Sequence, residues 1–69
     1  MTPSKGYVTI EERMPIKGKD HVCVGFKNTK KVLALCGESD ADDFEESVAN
    51  AYEIAILWNM RQKQLGVKK

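Results

Sequence analysis

More than a third of this 69-residue chain reads as one helix with apolar side chains on two sides. From Asp40 to Leu65, the residues Phe44, Val48, Ala51, Ala55 and Trp58 recur at helical spacing and form one stripe. Ile56, Leu57 and Met60, flanked by Ile54 and Trp58, fall on the opposite side of the same helix. A chain this short has one sheet to bury one stripe, so the second patch calls for a further partner.

Length makes that demand sharper. A domain of this size buries only about 60% of its extended surface, and such domains often gain stability from a disulfide, a metal or a second subunit. The whole chain, residues 1–69, is expected to be a single domain, with 1–5 and 66–69 as flexible ends. Hydrophobic content of 42% with 30% charge belongs to a globular chain, not a disordered one. No apolar run approaches the roughly 18 residues of a membrane span. The start, Met1-Thr2-Pro3-Ser4-Lys5, lacks the apolar segment of a signal peptide. The expected setting is therefore cytoplasmic, where Cys23 and Cys36 stay reduced.

Upstream of the helix the pattern predicts three strands. Tyr7-Val8-Thr9-Ile10 alternates, with Val8 and Ile10 on one face. Glu11 to Lys19 reads as a connection, because Pro15 removes a ladder donor and Gly18 marks a turn. His21 to Lys27 sets Val22, Val24 and Phe26 on one face and His21, Cys23, Gly25 and Lys27 on the other. After a polar turn at Asn28–Lys31, Val32 to Cys36 forms the third strand. A four-residue turn sets Phe26 opposite Leu33 and Val24 opposite Leu35; a turn shorter by two residues would set Phe26 opposite Lys31 and bury fewer apolar pairs. The predicted fold is α+β: a three-stranded antiparallel β-meander packed against one long C-terminal α-helix (β-β-β-α). Its core is Val8, Ile10, Val22, Val24, Phe26, Leu33 and Leu35 beneath the apolar stripe. Ser39 or Asp40 is the expected helix cap and Gly66 the stop. A helix of roughly 37 Å over strands of roughly 23 Å would overhang the sheet at its C-terminal end.

Charge is uneven along the chain. Residues 1–37 carry seven bases against three acids, residues 38–53 carry seven carboxylates and no base, and residues 54–69 carry four bases and no acid. The acidic stretch, with Asp42, Asp43, Glu45, Glu46 and Glu53, could engage a basic cleft of another protein, although acidic residues at a helix start are also ordinary dipole complements. Lys5, Lys17, Lys19, Lys27, Lys30 and Lys31 offer phosphate contacts at the sheet and its turns. The outer strand face, by contrast, presents no side chain suited to reading base edges.

Catalysis has little to work with. There is one histidine, no glycine-rich phosphate loop and no nucleophile beside a base, so no enzyme activity is expected. The predicted register sets Cys23 opposite Cys36 and His21 opposite Glu38, four zinc-compatible residues on one hairpin. Their spacing matches no zinc signature, and ligands straight across a flat ladder do not converge on a tetrahedron. Free thiols are expected, with no metal and no cofactor.

The strand–strand–strand–helix order resembles the AP2/integrase-type DNA-binding domains over about Tyr7 to Trp58. Ala51-Tyr52-Glu53-Ile54-Ala55 is similar to the Ala-Tyr-x-x-Ala stretch on that family's helix, and Leu35-Cys36-Gly37 sits where its third strand hands over to the helix. The resemblance implies a sheet lying in the major groove with strand Arg and Trp side chains making contacts. Here no predicted strand carries either residue. Double-stranded-RNA-binding domains share a similar order, but their helix starts with phosphate-gripping bases, and this one starts with carboxylates.

The leading expectation is a non-enzymatic interaction protein, homodimeric through Ile54, Ile56, Leu57 and Met60. It would bind and regulate or inhibit a larger protein, as a phage or mobile-element accessory factor would. The alternative is a DNA-binding accessory domain using Lys19, Lys27, Lys30 and Lys31.

Overall fold

The computed structural model describes residues 5–67. It has three antiparallel strands, β1 (Val8–Ile16), β2 (Lys19–Phe26) and β3 (Val32–Glu38), in the spatial order β1-β2-β3, followed by one helix, α1 (Phe44–Gln64). This is the predicted β-β-β-α architecture. The helix covers one face of the sheet and touches all three strands.

β1 is longer than expected, because the stretch read as a connection continues the strand. Pro15 pairs with Asp20, and Met14 with His21. β1 is an edge strand, where a missing N–H can face outward at no cost to the ladder. An irregularity between Glu11 and Met14 takes up one extra residue. Lys17 and Gly18, both at positive φ, form a two-residue turn into β2. Arg13 therefore lies on a strand after all.

The β2–β3 pairing departs from the expected register. Next to the loop, the Phe26 N–H donates to the Lys31 carbonyl at 3.0 Å, which is the shorter-turn arrangement. Asn28 at φ 63 and the Thr29 hydroxyl, which donates to Phe26 O and accepts from Lys31 N–H, hold that loop closed. At the far end His21 faces Glu38 as predicted. Two single-residue irregularities reconcile the ends, leaving Leu33 and Cys36 between paired positions of β3. Both pack on the core, while Leu35 pairs with Cys23 and is 56% exposed, and Cys23, expected on the outer face, is fully buried. Leu35 is thus removed from the predicted core. Cys23 and Cys36 do not face each other.

The core consists of Val8, Val22, Val24, Phe26, Ala51 and Ala55, with Ile10, Leu33, Phe44, Val48, Ile54 and Trp58 packed around it. Ser47, Ala51 and Ala55 recur every four residues and are buried. Their small side chains bring the helix close to the sheet. At Gly37 the approach leaves no room for a side chain: a β-carbon there would lie 2.3 Å from Ser47 Oγ. Phe26 and Trp58 close the other end edge to face, with ring centroids 5.8 Å apart.

The helix starts at Phe44, later than predicted. Asp43 is its N-cap and makes no side-chain cap bond. Ser39 is buried instead, with its hydroxyl on the Glu12 carbonyl and its N–H donating to Asp20 O. Glu45 and Glu46 in the first turn and Arg61 and Lys63 in the last complement the helix dipole. Gly66, at φ 79, ends the helix: its N–H donates to Lys63 O and that of Val67 to Gln62 O, the double bond of a Schellman motif. Gly66 and Val67, expected as part of a flexible tail, are hydrogen-bonded here. Residues 1–4, 68 and 69 lie outside the described residues.

With 21 helical residues, roughly 31 Å, against nine in β1, roughly 30 Å, the length difference behind the expected overhang disappears. The C-terminal half of α1 grips the chain entering β1. Asn59 accepts from Val8 N–H at 2.8 Å and donates to Val8 O at 3.0 Å. Gln62 accepts from Gly6 N–H at 3.0 Å, and the Trp58 indole donates to Gly6 O at 2.8 Å.

Two substitutions test this packing by urea unfolding. Gly37→Ala should cost about 1–3 kcal/mol through overpacking, part of it recovered by Ser47→Gly in the same chain. Asn59→Leu should cost about 1–3 kcal/mol and accelerate hydrogen exchange at the Val8 amide, which it leaves unpaired.

Candidate interaction surface

On the side of α1 away from the sheet, Tyr52, Ile56 and Met60 follow one another at four-residue spacing, each a little over half exposed. Leu57, 58% exposed, lies across Glu53 from them. Ile54, expected in this patch, is half-buried and packs on the core. The Met14-Pro15-Ile16 segment, which could have covered the patch as a loop, belongs to the β1–β2 hairpin.

At its C-terminal end the ridge borders an open groove of about 330 Å³, lined by Tyr7, Lys27, Ile56, Asn59, Met60 and Lys63. Ile56 and Met60 supply apolar surface, and Lys27 and Lys63 supply two cations. Neither lysine makes an ion pair among the described residues. Asn59 is held in place by Val8, and the Tyr7 hydroxyl donates to Val67 O at 2.6 Å. The groove wall is therefore anchored by the same bonds that fasten the helix end to the entry of β1.

The predicted acidic residues are all exposed. Asp42 and Asp43 precede the helix, Glu45 and Glu46 occupy its first turn, and Glu53 lies beside the ridge. None of the five is in an ion pair with another described residue. The predicted lysines do not form one surface. Lys19, at the start of β2, lies 3.8 Å from Glu38, whereas Lys27, Lys30 and Lys31 follow the other end of that strand. The Lys31 ammonium stands 5.6 Å from the Phe26 ring centroid. Arg13, the strand arginine, is drawn to Asp20 at 3.6 Å and Asp40 at 3.4 Å.

The hairpin residues do not assemble a metal site. Cys36 turns toward the core, His21 Nδ1 lies 3.1 Å from the Lys19 carbonyl, and no metal-binding group of three or more His, Cys, Asp or Glu occurs among the described residues. Both cysteines are free. Burial raises the pKa of the Cys23 thiol, with further contributions from the Glu11 carboxylate and Cys36. Burial alone raises that of Cys36. Both shifts disfavour the thiolate, the form in which a cysteine is nucleophilic. No described helix is long and apolar enough to cross a membrane.

Sequence reasoning missed Tyr52, Asn59, Gln62 and the pairing of Lys27 with Lys63. A signal for Gln62 was present: it falls four residues after Trp58 and seven after Ala55, so it continues the core stripe with a polar side chain. A polar residue in that position must meet a buried polar partner. The groove itself, which brings Tyr7 and Lys27 beside the helix segment 56–63, leaves no local trace.

No protein-family model matches the chain, and no curated protein or solved structure does either.

The thiol environment sets a pH dependence. The folded state holds its thiol protons to a higher pH than the unfolded chain, whose thiols ionise near the ordinary value of 9.0. Their contribution to stability is complete below that value and is lost as pH rises toward the folded values. The urea midpoint should therefore fall as pH rises above 9.0, and fall less steeply in Cys23→Ala.

Proposed function

We propose that this protein is a small non-enzymatic interaction module that self-associates through the outer ridge of α1 and, in that form, binds and regulates a larger protein. One observation carries the reading: the helix turns its small residues, Ser47, Ala51 and Ala55, toward the sheet and leaves Tyr52, Ile56, Leu57 and Met60 in water. The hydrophobic effect opposes that exposure by about 25 cal/mol per Å² of apolar surface. The row Tyr52, Ile56 and Met60, with Leu57 beyond Glu53, gives one helix face the composition of a protein contact. A self-complementary contact is the simplest form, since one ridge serves both subunits. Interaction then occupies the outer ridge, and the exposed Asp42, Asp43 and Glu45 at the helix start remain available to a basic partner.

Light scattering on the purified protein should give twice the 7.8 kDa chain mass. Leu57→Glu and Met60→Glu should each give the single-chain mass and keep a cooperative urea transition, because both side chains are more than half exposed in the folded chain, with a midpoint lowered by the loss of the second subunit. A wild-type protein that stays monomeric at high micromolar concentration would exclude self-association.

A further inference from the structure

We infer that the second copy docks with its helix antiparallel to the first, and that each copy's Tyr52 enters the groove between Lys27 and Lys63 of the other. This rests on the self-association proposed above and adds its geometry. Three features lead to it.

The first is charge. The helix is acidic at its start, with Glu45 and Glu46, and basic at its end, with Arg61 and Lys63. A parallel pair would set acid on acid and base on base. An antiparallel pair sets each end against its opposite, and like-charge contacts across a seam are strongly disfavoured.

The second is alignment. A two-fold axis beside Ile56 brings Met60 level with Tyr52 of the second copy, and Lys63 level with Ala49. Lys63 then stands between the second copy's Glu46 and Glu53, one turn away on either side. The axis repeats every contact, as an isologous interface requires.

The third is the groove. It opens at Ile56, Met60 and Lys63, the same helical turns that the second copy's Tyr52 would reach. An aromatic ring can rest one face on the Ile56 and Met60 side chains and take a lysine ammonium over its other face, where cations and aromatic rings attract. Tyrosine seated in a pocket is a common energetic centre of interfaces. Tyr52 is half exposed in the single chain.

Mixed disulfide cross-linking tests the arrangement. Single-cysteine variants Ala49→Cys and Lys63→Cys, each in a Cys23→Ala, Cys36→Ala background, are mixed and oxidised. The antiparallel pair yields mainly the mixed 49–63 product. A predominance of 63–63 and 49–49 products would overturn the antiparallel alignment while leaving self-association intact. A monomeric mass for the wild-type protein would overturn both. Alongside, Tyr52→Ala should weaken dimerisation about tenfold or more, whereas Tyr52→Phe keeps it within a few-fold. Equal dimer affinity for the wild type and Tyr52→Ala would remove Tyr52 from the groove.

Discussion

The distance between helix and sheet governs the rest of this domain. Ser47, Ala51 and Ala55 form a row of small side chains, and Gly37 on β3 has no side chain where Ser47 arrives. The helix therefore lies low enough to touch all three strands at once. Phe44 and Trp58 bracket the row at either end and pack against the core. A face built from small residues cannot also hold Ile56, Leu57 and Met60. The helix carries its bulk on the outside because close approach needs its inside kept small.

The end of the helix is fastened by polar groups instead of apolar ones. Trp58, Asn59 and Gln62 together satisfy the backbone of Gly6 and Val8, and no buried side-chain N or O among the described residues lacks a partner. Such directional bonds define where the strand enters the sheet more narrowly than apolar contact could. They also hold Tyr7 at one wall of the groove, so the shape of that surface depends on the same bonds that secure the fold.

Much of the fold was legible because it rests on periodicity. The alternation of Val22, Val24 and Phe26, the helical recurrence of Ala51, Ala55 and Trp58, and the stop at Gly66 each follow from local chemistry. The failures share a cause: they depend on groups distant in sequence. Pro15 fits within a strand because β1 lies at the edge, a fact of topology. Leu35 leaves the core because two irregularities in β3 shift the register, and these answer to the short loop at one end and the His21–Glu38 pair at the other. Ser39 caps nothing because the Glu12 carbonyl, 27 residues away, takes its hydroxyl. Ile56, Leu57 and Met60 on the exposed ridge were visible from helical spacing alone, whereas Tyr52 was missed and Ile54 is reached by the sheet. The two-lysine groove was not, since it appears only when Tyr7 and Lys27 arrive beside the end of the helix.

The bond from the Tyr7 hydroxyl to the Val67 carbonyl brings the entry of the first strand and the exit of the helix to one side of the molecule. Entering and leaving at one place makes the domain topologically closed, a bead that could sit within a surface loop of a larger fold without stretching its host. The same closure suits circular permutation: a linker joining residue 5 to residue 67, with new ends cut at the Lys17–Gly18 turn, would leave the path of the chain through the core unaltered.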